Sequence, residues 1–445
     1  MDNFYIEQLT LKNYRGIEER TFKINPKFTV FIGRNGIGKT TVLEAAAVML
    51  GAYLAAYKVY VPSRFGFNIL ANSDPYLKQQ KNMNYNIPTA HGVPQFPCTV
   101  GCQLKWDKKP INFKRTLEKA AGRTKFAGRN PMQKVVSDWE DKIAKADGSD
   151  KELILPIVLY LSSARLWNDN SKASSQDMPI RTDAYARCLD KKHGTEMAFE
   201  YLKKLRLAAI EEDRETFPAY DLIMSAIMSG MEDELEEGEK LIFSTRYNAI
   251  ALVRADKTVI PFSSLSDGYR NVIKIFMDIA SRMCILNPYL QERTLEETPG
   301  VVLIDELDLS LHPTWQKRIV RILKKTFPKV QFICATHSPF IIQSLEDGEL
   351  CSLGMEIEDE YSGEGLEDIS EDIMGVEQPQ YSEKKRKMYL AAKEFFEQAD
   401  KIQDKEKMEE LKGKLDLLVA EYSDNPAYLA FMKQKYAEKY LELEK

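Results

Sequence analysis

The sequence predicts an α/β protein with a mixed, largely parallel sheet, flanking helices and an antiparallel lobe, extended by a helical insertion and a C-terminal helical appendage. Short apolar runs alternate with longer helical patterns, which is the order typical of α/β sheets. A glycine-rich segment, 33–41, separates a predicted strand from a predicted helix. The chain has 445 residues, and single hydrophobic cores stop growing near roughly 250 to 300 residues. We therefore expect two or three folding units.

The N-terminal lobe is predicted to span 1–164. Residues 3–32 alternate between apolar and polar positions and then run apolar, which indicates two or three strands leading into the glycine-rich segment. A helix is predicted over 43–57, and residues 95–126 return to a strand-like pattern. The apolar run 153–161 is typical of a buried strand.

A polar, helix-prone stretch predicts a helical insertion over 165–245. The C-terminal lobe is assigned to 246–350. The elements predicted around and within it are a hairpin at 241–256, a helix at 269–286, a buried strand at 301–305, a helix at 313–326 and a buried strand at 330–336.

The C-terminal region differs in composition. Residues 341–380 carry thirteen acidic side chains and no lysine or arginine, so 351–380 is expected to be an exposed acidic connector, either solvated or docked on a basic partner. Residues 381–445 are charged and helical, with a break at 423–426. We expect them to form a separate appendage for partner binding or assembly.

Composition excludes several classes of protein. The 62 Lys and Arg against 67 Asp and Glu give a net charge of -5, which does not indicate a nucleic-acid coat or a membrane-surface protein. The 6 cysteines are too sparse for a disulfide framework, and the lone CxxxC of Cys98 and Cys102 favours buried thiols over a metal site. The first residues lack an apolar signal, and no uncharged apolar stretch reaches the roughly 18 residues of a membrane span. A cytoplasmic protein is expected.

One basic strip interrupts this balance. Residues 105–134 hold ten Lys and Arg against two Asp and Glu, with Trp106, Phe113 and Phe126 between them. Basic and aromatic side chains together are typical of a nucleic-acid or partner contact. A solvated antiparallel ribbon gives the same pattern and is the favoured interpretation.

The glycine-rich segment GRNGIGKTT satisfies GxxxxGK[ST] in the strand-to-helix context that the motif requires. Glycines let backbone N–H groups turn towards phosphates, Lys39 supplies a positive charge to the β and γ oxygens, and the Thr40 hydroxyl suits Mg²⁺. The predicted nucleotide contacts are Gly33, Arg34, Asn35, Gly36, Ile37, Gly38, Lys39, Thr40 and Thr41.

Acidic and basic side chains follow two later strands. In VVLIDE, Asp305 would hold Mg²⁺ with Thr40, and Glu306 could polarise the attacking water. His337, at the end of the next strand, could reach the γ-phosphate. Glu306, His337 and Lys39 are therefore the predicted catalytic residues. The open edge of an α/β sheet is where such ligands bind.

The segment LSDGYR places Ser266 and Gly268 at the start of a predicted helix. A hydroxyl, an N–H group and the helix dipole suit an anion there. A plain helix cap is the alternative interpretation of this motif.

Four motifs occur along the chain in the order GRNGIGKTT, LSDGYR, VVLIDE and the strand end with His337. Together they resemble the core of the ATP-binding-cassette (ABC) ATPases over residues 1–345. The resemblance implies an ABC-ATPase head with ATP and Mg²⁺ as cofactors. It also implies a head-to-head dimer with composite ATP sites, in which Ser266 and Gly268 of one head act on the γ-phosphate bound by the other. His337 would be the switch histidine, and Asp308 would lie at the dimer seam.

The opening LTLKNYRGIEERTFKI is similar to the SMC, RecF and overcoming-lysogeny-defect ATPases. This similarity implies that Asn13, Tyr14 and Arg15 touch the nucleotide, with a strand-edge role as the alternative. No glutamine loop is evident, although 162–165 occupies the place where one is expected. The insertion is too short for an SMC coiled-coil arm.

Overcoming-lysogeny-defect nucleases carry a Toprim domain with a DxD pair, and no DxD occurs in 346–445. The chain is therefore expected to lack a nuclease of its own. The motifs LSDGYR and LHPTWQ and a tail with GVEQPQYS and SDNPAYLAF are most similar to the PtuA-type ATPases of Septu and retron-linked anti-phage systems. That similarity implies an HNH nuclease partner from a neighbouring gene and leaves room for a higher oligomer.

Two other functions remain open at this point. A RecF-like or SMC-like repair or recombination ATPase would clamp DNA directly through 105–134. In a PtuA-type ATPase, nucleic acid would instead be reached through the nuclease partner. A nucleotide-gated scaffold would bind ATP and scarcely hydrolyse it, although Glu306 argues against that function.

Overall fold

The computed structural model describes residues 3–57, 70–71, 73–81, 90–107, 109–122, 124–126, 130–145, 153–166, 177–191, 195–232, 234–354, 363–401, 407, 409, 411–413, 415–416 and 426–442. Two compact units are present, 1–364 and 365–445.

The strands are β1 (Phe4–Tyr14), β2 (Ile17–Lys23), β3 (Phe28–Ile32), β4 (Leu77–Lys81), β5 (Ala90–Pro94), β6 (Cys98–Trp106), β7 (Lys109–Leu117), β8 (Lys125–Phe126), β9 (Ile157–Leu161), β10 (Lys240–Ser244), β11 (Ala249–Val253), β12 (Val259–Pro261), β13 (Gly300–Ile304), β14 (Val330–Ala335) and β15 (Leu350–Ser352). The α-helices are α1 (Lys39–Leu54), α2 (Gln133–Lys145), α3 (Glu196–Glu211), α4 (Pro218–Gly230), α5 (Asp267–Leu286), α6 (Thr294–Glu297), α7 (Pro313–Gln316), α8 (Ile319–Thr326), α9 (Pro339–Gln343), α10 (Leu366–Asp368), α11 (Glu383–Lys401) and α12 (Pro426–Glu442).

A parallel sheet forms the centre of the first unit. Its five strands run in the order β15-β3-β14-β13-β9, and every neighbouring pair is parallel. All residues of β3, β9, β13 and β14 are buried, as expected where both faces of a parallel sheet are covered. Because β13 ends at Ile304 and β14 at Ala335, Asp305 and Thr336 lie just beyond neighbouring strands at the same edge. The predicted α/β fold class is confirmed.

An antiparallel sheet forms the second layer, with the order β2-β1-β6-β7-β8. Its strand β6 alternates strictly between buried and half-buried residues, so one face packs on the core and the other meets solvent. On the inner side Trp106 packs against Phe4, Tyr53 and Trp139, with ring centroids 5.1 to 5.6 Å apart. The predicted antiparallel lobe is therefore present.

The segment predicted as a helical insertion contains α3 and α4 but also the first strand of a meander. The three strands β10, β11 and β12 pair antiparallel, which agrees with the predicted hairpin at 241–256. Residues 167–176, 192–194 and 233 of this segment lie outside the described residues. The helix predicted at 313–326 is divided into α7 and α8 around Lys317 and Arg318.

The second unit has a small hydrophobic core of its own. Its buried members are Ala392, Phe395, Leu411, Leu415 and Met432, with Phe396, Tyr436 and Tyr440 packed against them.

Part of the expected exposed connector at 351–380 belongs to folded structure. Its first residues belong to β15, which pairs with β3, and Ile369 is fully buried. Residues 355–362 of the connector, and 423–425 of the predicted break at 423–426, lie outside the described residues. In the part of the chain that the structure describes, no helix is both long and apolar enough to cross a membrane.

Candidate nucleotide-binding site

The phosphate loop joins the buried strand β3 to helix α1. Gly36 and Gly38 have φ values of 80° and 113°, a region that favours glycine because other residues place Cβ against the backbone. A Cβ on Gly33 would lie 2.8 Å from Cγ2 of Ile37. The loop therefore requires its glycines, and it delivers the free N–H groups at the start of α1 to one point, as an anion site needs. The helix begins at Lys39, four residues before the predicted start.

Lys39 is the cation of this loop. Its Nζ donates to the carbonyl oxygen of Gly33 at 2.8 Å and to that of Arg34 at 3.4 Å. Burial lowers the pKa of Lys39, and the nearby carboxylates of Asp305, Asp308 and Glu306 oppose that shift. The ammonium group thus lies inside the loop, where phosphate oxygens could replace the two carbonyls.

Thr40 and Asp305 meet although they are 265 residues apart in sequence, with Thr40 Oγ1 donating to Asp305 Oδ2 at 3.0 Å. Asp305 is held at the strand edge because its N–H group donates to the carbonyl oxygen of Leu161 at 2.9 Å. Burial raises the pKa of the Asp305 carboxyl, and the Thr40 hydrogen bond opposes that shift. A hydroxyl and a carboxylate oxygen are hard ligands of the kind Mg²⁺ prefers, so this donor set fits the predicted ion.

Glu306 follows directly and is exposed. Its φ of 49° lies in the left-handed region, which costs a residue other than glycine about 1 to 3 kcal/mol and is found most often at functional sites. The N–H group of Leu307 then donates to the carbonyl oxygen of Ala335 at 2.9 Å, so the chain stays bonded to the end of β14 on both sides of Glu306. The carboxylate of Glu306 is left free to reach a ligand at the sheet edge.

The predicted switch histidine is tied to the same turn. Oδ1 of Asp308 accepts hydrogen bonds from the hydroxyl of Thr336 and, at 3.2 Å, from the backbone N–H group of His337. The side chain of His337 is exposed. Asp308, predicted at a dimer seam, therefore has an additional role within the chain, because it fixes the backbone next to His337.

Ser266 and Gly268 open helix α5. Ser266 is the N-cap, and its Oγ accepts from the N–H group of Tyr269 at 3.4 Å. Gly268 is buried, and a Cβ there would lie 2.8 Å from the carbonyl oxygen of Ser310 and 2.9 Å from the Trp315 ring. The motif is thus packed closely against the chain that follows the acidic pair.

Sequence reasoning did not find Arg165, which is only 1% exposed. Its guanidinium donates to the carbonyl oxygens of Asp305 and Glu306 at 2.7 and 2.9 Å. Burial lowers the pKa of Arg165 to about 10, and the carboxylates of Asp305 and Glu306 oppose that shift. The only signal in the sequence was an arginine shortly after an apolar strand, inside the stretch considered in place of a glutamine loop.

The three residues predicted from the N-terminal similarity have partners within the chain. Asn13 Nδ2 donates to the carbonyl oxygen of Pro97 at 3.1 Å. Tyr14 is fully buried, and burial raises the pKa of its hydroxyl. Arg15 forms ion pairs with Glu44 of helix α1 and with Asp74, the latter at 2.9 Å. These contacts match the strand-edge alternative, and contact with a nucleotide stays a prediction.

The basic strip is divided between core and solvent. Trp106 belongs to the aromatic cluster, and Arg115 is 5% exposed with Nη1 donating to the carbonyl oxygen of Val48 at 2.6 Å. Lys109 and Lys114 are exposed. Residues 108, 123 and 127–129 and the side chain of Phe126 lie outside the described part. Two of the features that indicated nucleic-acid contact therefore serve the core.

Comparisons with known proteins find ATPases of retron and Septu systems among the similar sequences. The chain is 24% identical over 399 residues to the "Retron Ec83 probable ATPase" of Escherichia coli, an alignment that covers 77% of this chain and 70% of that protein. It is 31% identical over 177 residues to the "Septu protein PtuA" of Bacillus thuringiensis, covering 37% of this chain and 43% of that protein. The predicted resemblance to retron-linked and PtuA-type ATPases is confirmed.

Among solved structures, the chain is similar to the SMC head bound to the C-winged helix domain of ScpA, with a TM-score of 0.45, 16% identity and coverage of 80% of this chain and 95% of that chain. A family model described as "AAA domain" matches 8–221. A second, described as "AAA domain, putative AbiEii toxin, Type IV TA system", matches 118–343, just over half of the chain. The chain therefore belongs to this AAA-domain family, and it is similar to the ATPases of retron and Septu systems.

Proposed function

We propose that this chain binds and hydrolyses ATP and that its nucleotide state controls an associated HNH-type nuclease in bacterial anti-phage defence. The observation that carries the proposal is the contact between Thr40 and Asp305 at 3.0 Å, beside Lys39. A hydroxyl from a phosphate loop and a carboxylate from another strand end of the same sheet are the pair that P-loop NTPases use.

In this mechanism the N–H groups of the phosphate loop and Lys39 bind the phosphates, and Thr40 and Asp305 would hold Mg²⁺. The ion would neutralise charge on the phosphate oxygens. Glu306 accepts a proton from the attacking water while the water oxygen bonds to the γ-phosphorus. The bond between the γ-phosphorus and the β,γ-bridging oxygen breaks, which leaves ADP and phosphate. His337 donates a hydrogen bond to the γ-phosphate.

We also propose that two heads associate face to face, with Ser266 and Gly268 of one copy at the γ-phosphate of the other. Ser266 caps α5 and is exposed, so its hydroxyl is accessible to a second copy. An exposed helix N-terminus carries the partial positive charge that an anion requires.

The nuclease would bind the second compact unit. In its described part, exposed apolar side chains include Leu390 at 53% and Phe431 at 50%. Large exposed apolar side chains are typical of sites that another protein covers.

The first test is ATP binding and phosphate release by the whole chain and its Lys39→Ala variant. Loss of charge-assisted hydrogen bonds worth about 1.5 to 3 kcal/mol should weaken ATP binding by about 10-fold or more and abolish turnover. Lys23→Ala, an exposed lysine of β2, is the matched control and should leave both unchanged. Unchanged affinity in Lys39→Ala would contradict the phosphate-loop assignment.

The second test is the native mass of the chain, expressed alone and with the proteins encoded beside it, with and without ATP. Assembly with an HNH protein, lost in Leu390→Arg or Phe431→Arg while ATP turnover persists, is the expected result. An ATP-dependent dimer that binds no neighbour and is retained on duplex DNA would instead support a RecF-like repair function.

A further inference from the structure

We propose that Arg165 is a positioning residue that fixes the main chain of the acidic pair and ties it to the helix of the LSDGYR motif. The proposal rests on the proposed ATP hydrolysis and adds to it a residue that does not itself contact the nucleotide.

Arg165 lies in a short 3₁₀ turn, Ser163–Leu166, directly after strand β9. Its Nη1 and Nη2 atoms donate to the successive carbonyl oxygens of Asp305 and Glu306 at 2.7 and 2.9 Å, and Nη1 also donates to that of Ser162 at 3.0 Å. A planar guanidinium can bond two neighbouring carbonyls at once, whereas a lysine ammonium acts as a point charge. The arginine fork therefore fixes both peptide groups that carry the acidic pair.

The fourth hydrogen bond leads to helix α5. Arg165 Nε donates to Oδ1 of Asn271 at 2.7 Å, and Nδ2 of Asn271 donates to the carbonyl oxygen of Leu309 at 2.6 Å. Asn271 is 0% exposed, and it follows Gly268 by less than one helical turn. The acidic turn is thus held at both ends, at residues 305–306 by Arg165 and at 309 by Asn271.

This arrangement explains how Glu306 is kept in its left-handed conformation. A strained φ persists only where the surrounding contacts determine it. If the guanidinium were absent, buried carbonyl oxygens would lose partners and the turn could relax. The carboxylate of Glu306 would then be displaced, and misplacement of a reacting group by about 1 Å can cost about 10²-fold in rate.

A purely structural role is the competing explanation, and Arg181 provides a matched control. Arg181 is also buried, at 8% exposed. It donates to the carbonyl oxygen of Leu286 at 2.6 Å and to Oδ1 of Asn287 at 3.3 Å. It therefore anchors main chain in the same way, with an asparagine beside it, but at the far end of α5.

The experiment compares Arg165→Lys, Asn271→Asp and Arg181→Lys in the full-length chain. ATP affinity, steady-state turnover and thermal stability are measured for each. Arg165→Lys should lower kcat by about 10-fold to 10²-fold with ATP affinity within about twofold. Asn271→Asp can still accept from Arg165 but cannot donate to Leu309, so a smaller loss of about 3-fold to 10-fold is expected. Arg181→Lys should lose stability without a specific loss of kcat.

Amide hydrogen exchange of the peptide covering 305–311 gives a readout that does not depend on turnover. Arg165→Lys should speed exchange there, and Arg181→Lys should not. If Arg165→Lys does not fold, Asn271→Asp carries the same test. Normal kcat and normal exchange in folded variants would overturn the positioning role. Equal losses of kcat in Arg165→Lys and Arg181→Lys would overturn it too. A wild-type chain that releases no phosphate would overturn the proposed hydrolysis itself. That outcome differs from failure of the positioning role, in which the wild type and the variants all release phosphate at the same rate.

Discussion

The two charged regions of the first unit hold their charges differently. At the edge of the parallel sheet, Arg165, Asp305 and Thr40 form hydrogen bonds within the chain, and the first two are buried. On the antiparallel sheet, Lys109 and Lys114 are exposed to solvent. Because a buried charge must be paired whereas a solvated one need not be, the first region fixes the positions of its groups and the second does not. Fixed positions are what phosphate chemistry requires.

Two buried arginines make the comparison sharper. Burial lowers the pKa of both Arg165 and Arg115 to about 10. Arg165 holds the acidic turn, whereas Arg115 donates to Val48 in the helix that follows the phosphate loop. An arginine counted in the basic strip therefore supports the core, so the number of cations in the strip overstates its surface charge.

Glu306→Gln should have the largest effect at the sheet edge. Turnover should fall by about 10²-fold to 10⁴-fold because the general base is lost, and ATP affinity should be unchanged. Phosphate release and nucleotide titration measure the two quantities. The control is Glu118→Gln, an exposed carboxylate directly after β7 that pairs with Lys125 at 3.2 Å. Equal turnover in Glu306→Gln and wild type would remove Glu306 from the mechanism.

Gly268→Ala tests the packing below the LSDGYR motif. Its Cβ would come within 2.8 Å of the backbone oxygen of Ser310, and such overpacking destabilises by up to about 3 kcal/mol. Denaturant unfolding measures the change. The control Gly101→Ala lies in β6, where the nearest contact of a Cβ is 3.6 Å from Thr10, and it should be neutral or stabilising by up to about 1 kcal/mol. Similar unfolding midpoints for the two variants would show that Gly268 is not sterically required.

The predicted site residues that the structure brings together lie at or beside strand ends. The runs VVLID and VQFICAT indicated two buried strands with polar residues at their carboxyl ends, and neighbouring parallel strands bring such residues to one edge. Because β3 is parallel to β14, the start of α1 after β3 lies at this same edge, where Thr40 contacts Asp305 across 265 residues. The fold class could be predicted for the same reason, because apolar runs and a strand-to-helix phosphate loop are local signals.

The supporting residues could not be predicted in this way. Arg165 and Asn271 act through backbone carbonyls of distant segments, and no spacing in the sequence indicates such a contact. For Arg115 the sequence does contain a signal, because this residue lies two positions before the apolar Leu117 in β7, and both are buried. Residues two apart in a strand share a face, so the strip could have been divided into its inner and outer halves.

Arg115→Met should reduce stability by about 1 to 2 kcal/mol because a buried carbonyl loses a charged donor. Lys114→Met, one residue earlier and on the exposed face, should stay within about 0.5 kcal/mol of the wild type. Denaturant unfolding of the two variants makes a matched comparison. A larger loss in Lys114→Met would mean that the outer face of this sheet is covered rather than solvated.

The smallest effect is expected from charge reversal on the outer face of the strip. If Lys109 and Lys114 are solvated and make no phosphate contacts, Lys109→Glu and Lys114→Glu should change retention on duplex DNA by less than about twofold near 150 mM salt. The control is Lys12→Glu, an exposed lysine of β1 that pairs with Glu19 at 3.2 Å. Replacing a lysine that does bind a phosphate would reduce the magnitude of the slope of log affinity against log salt by about 1. A loss of DNA retention of about 10-fold with that change in slope would show that the strip binds DNA and would favour direct DNA clamping. The solvated lysines would then take fixed positions only when the nucleic acid is bound.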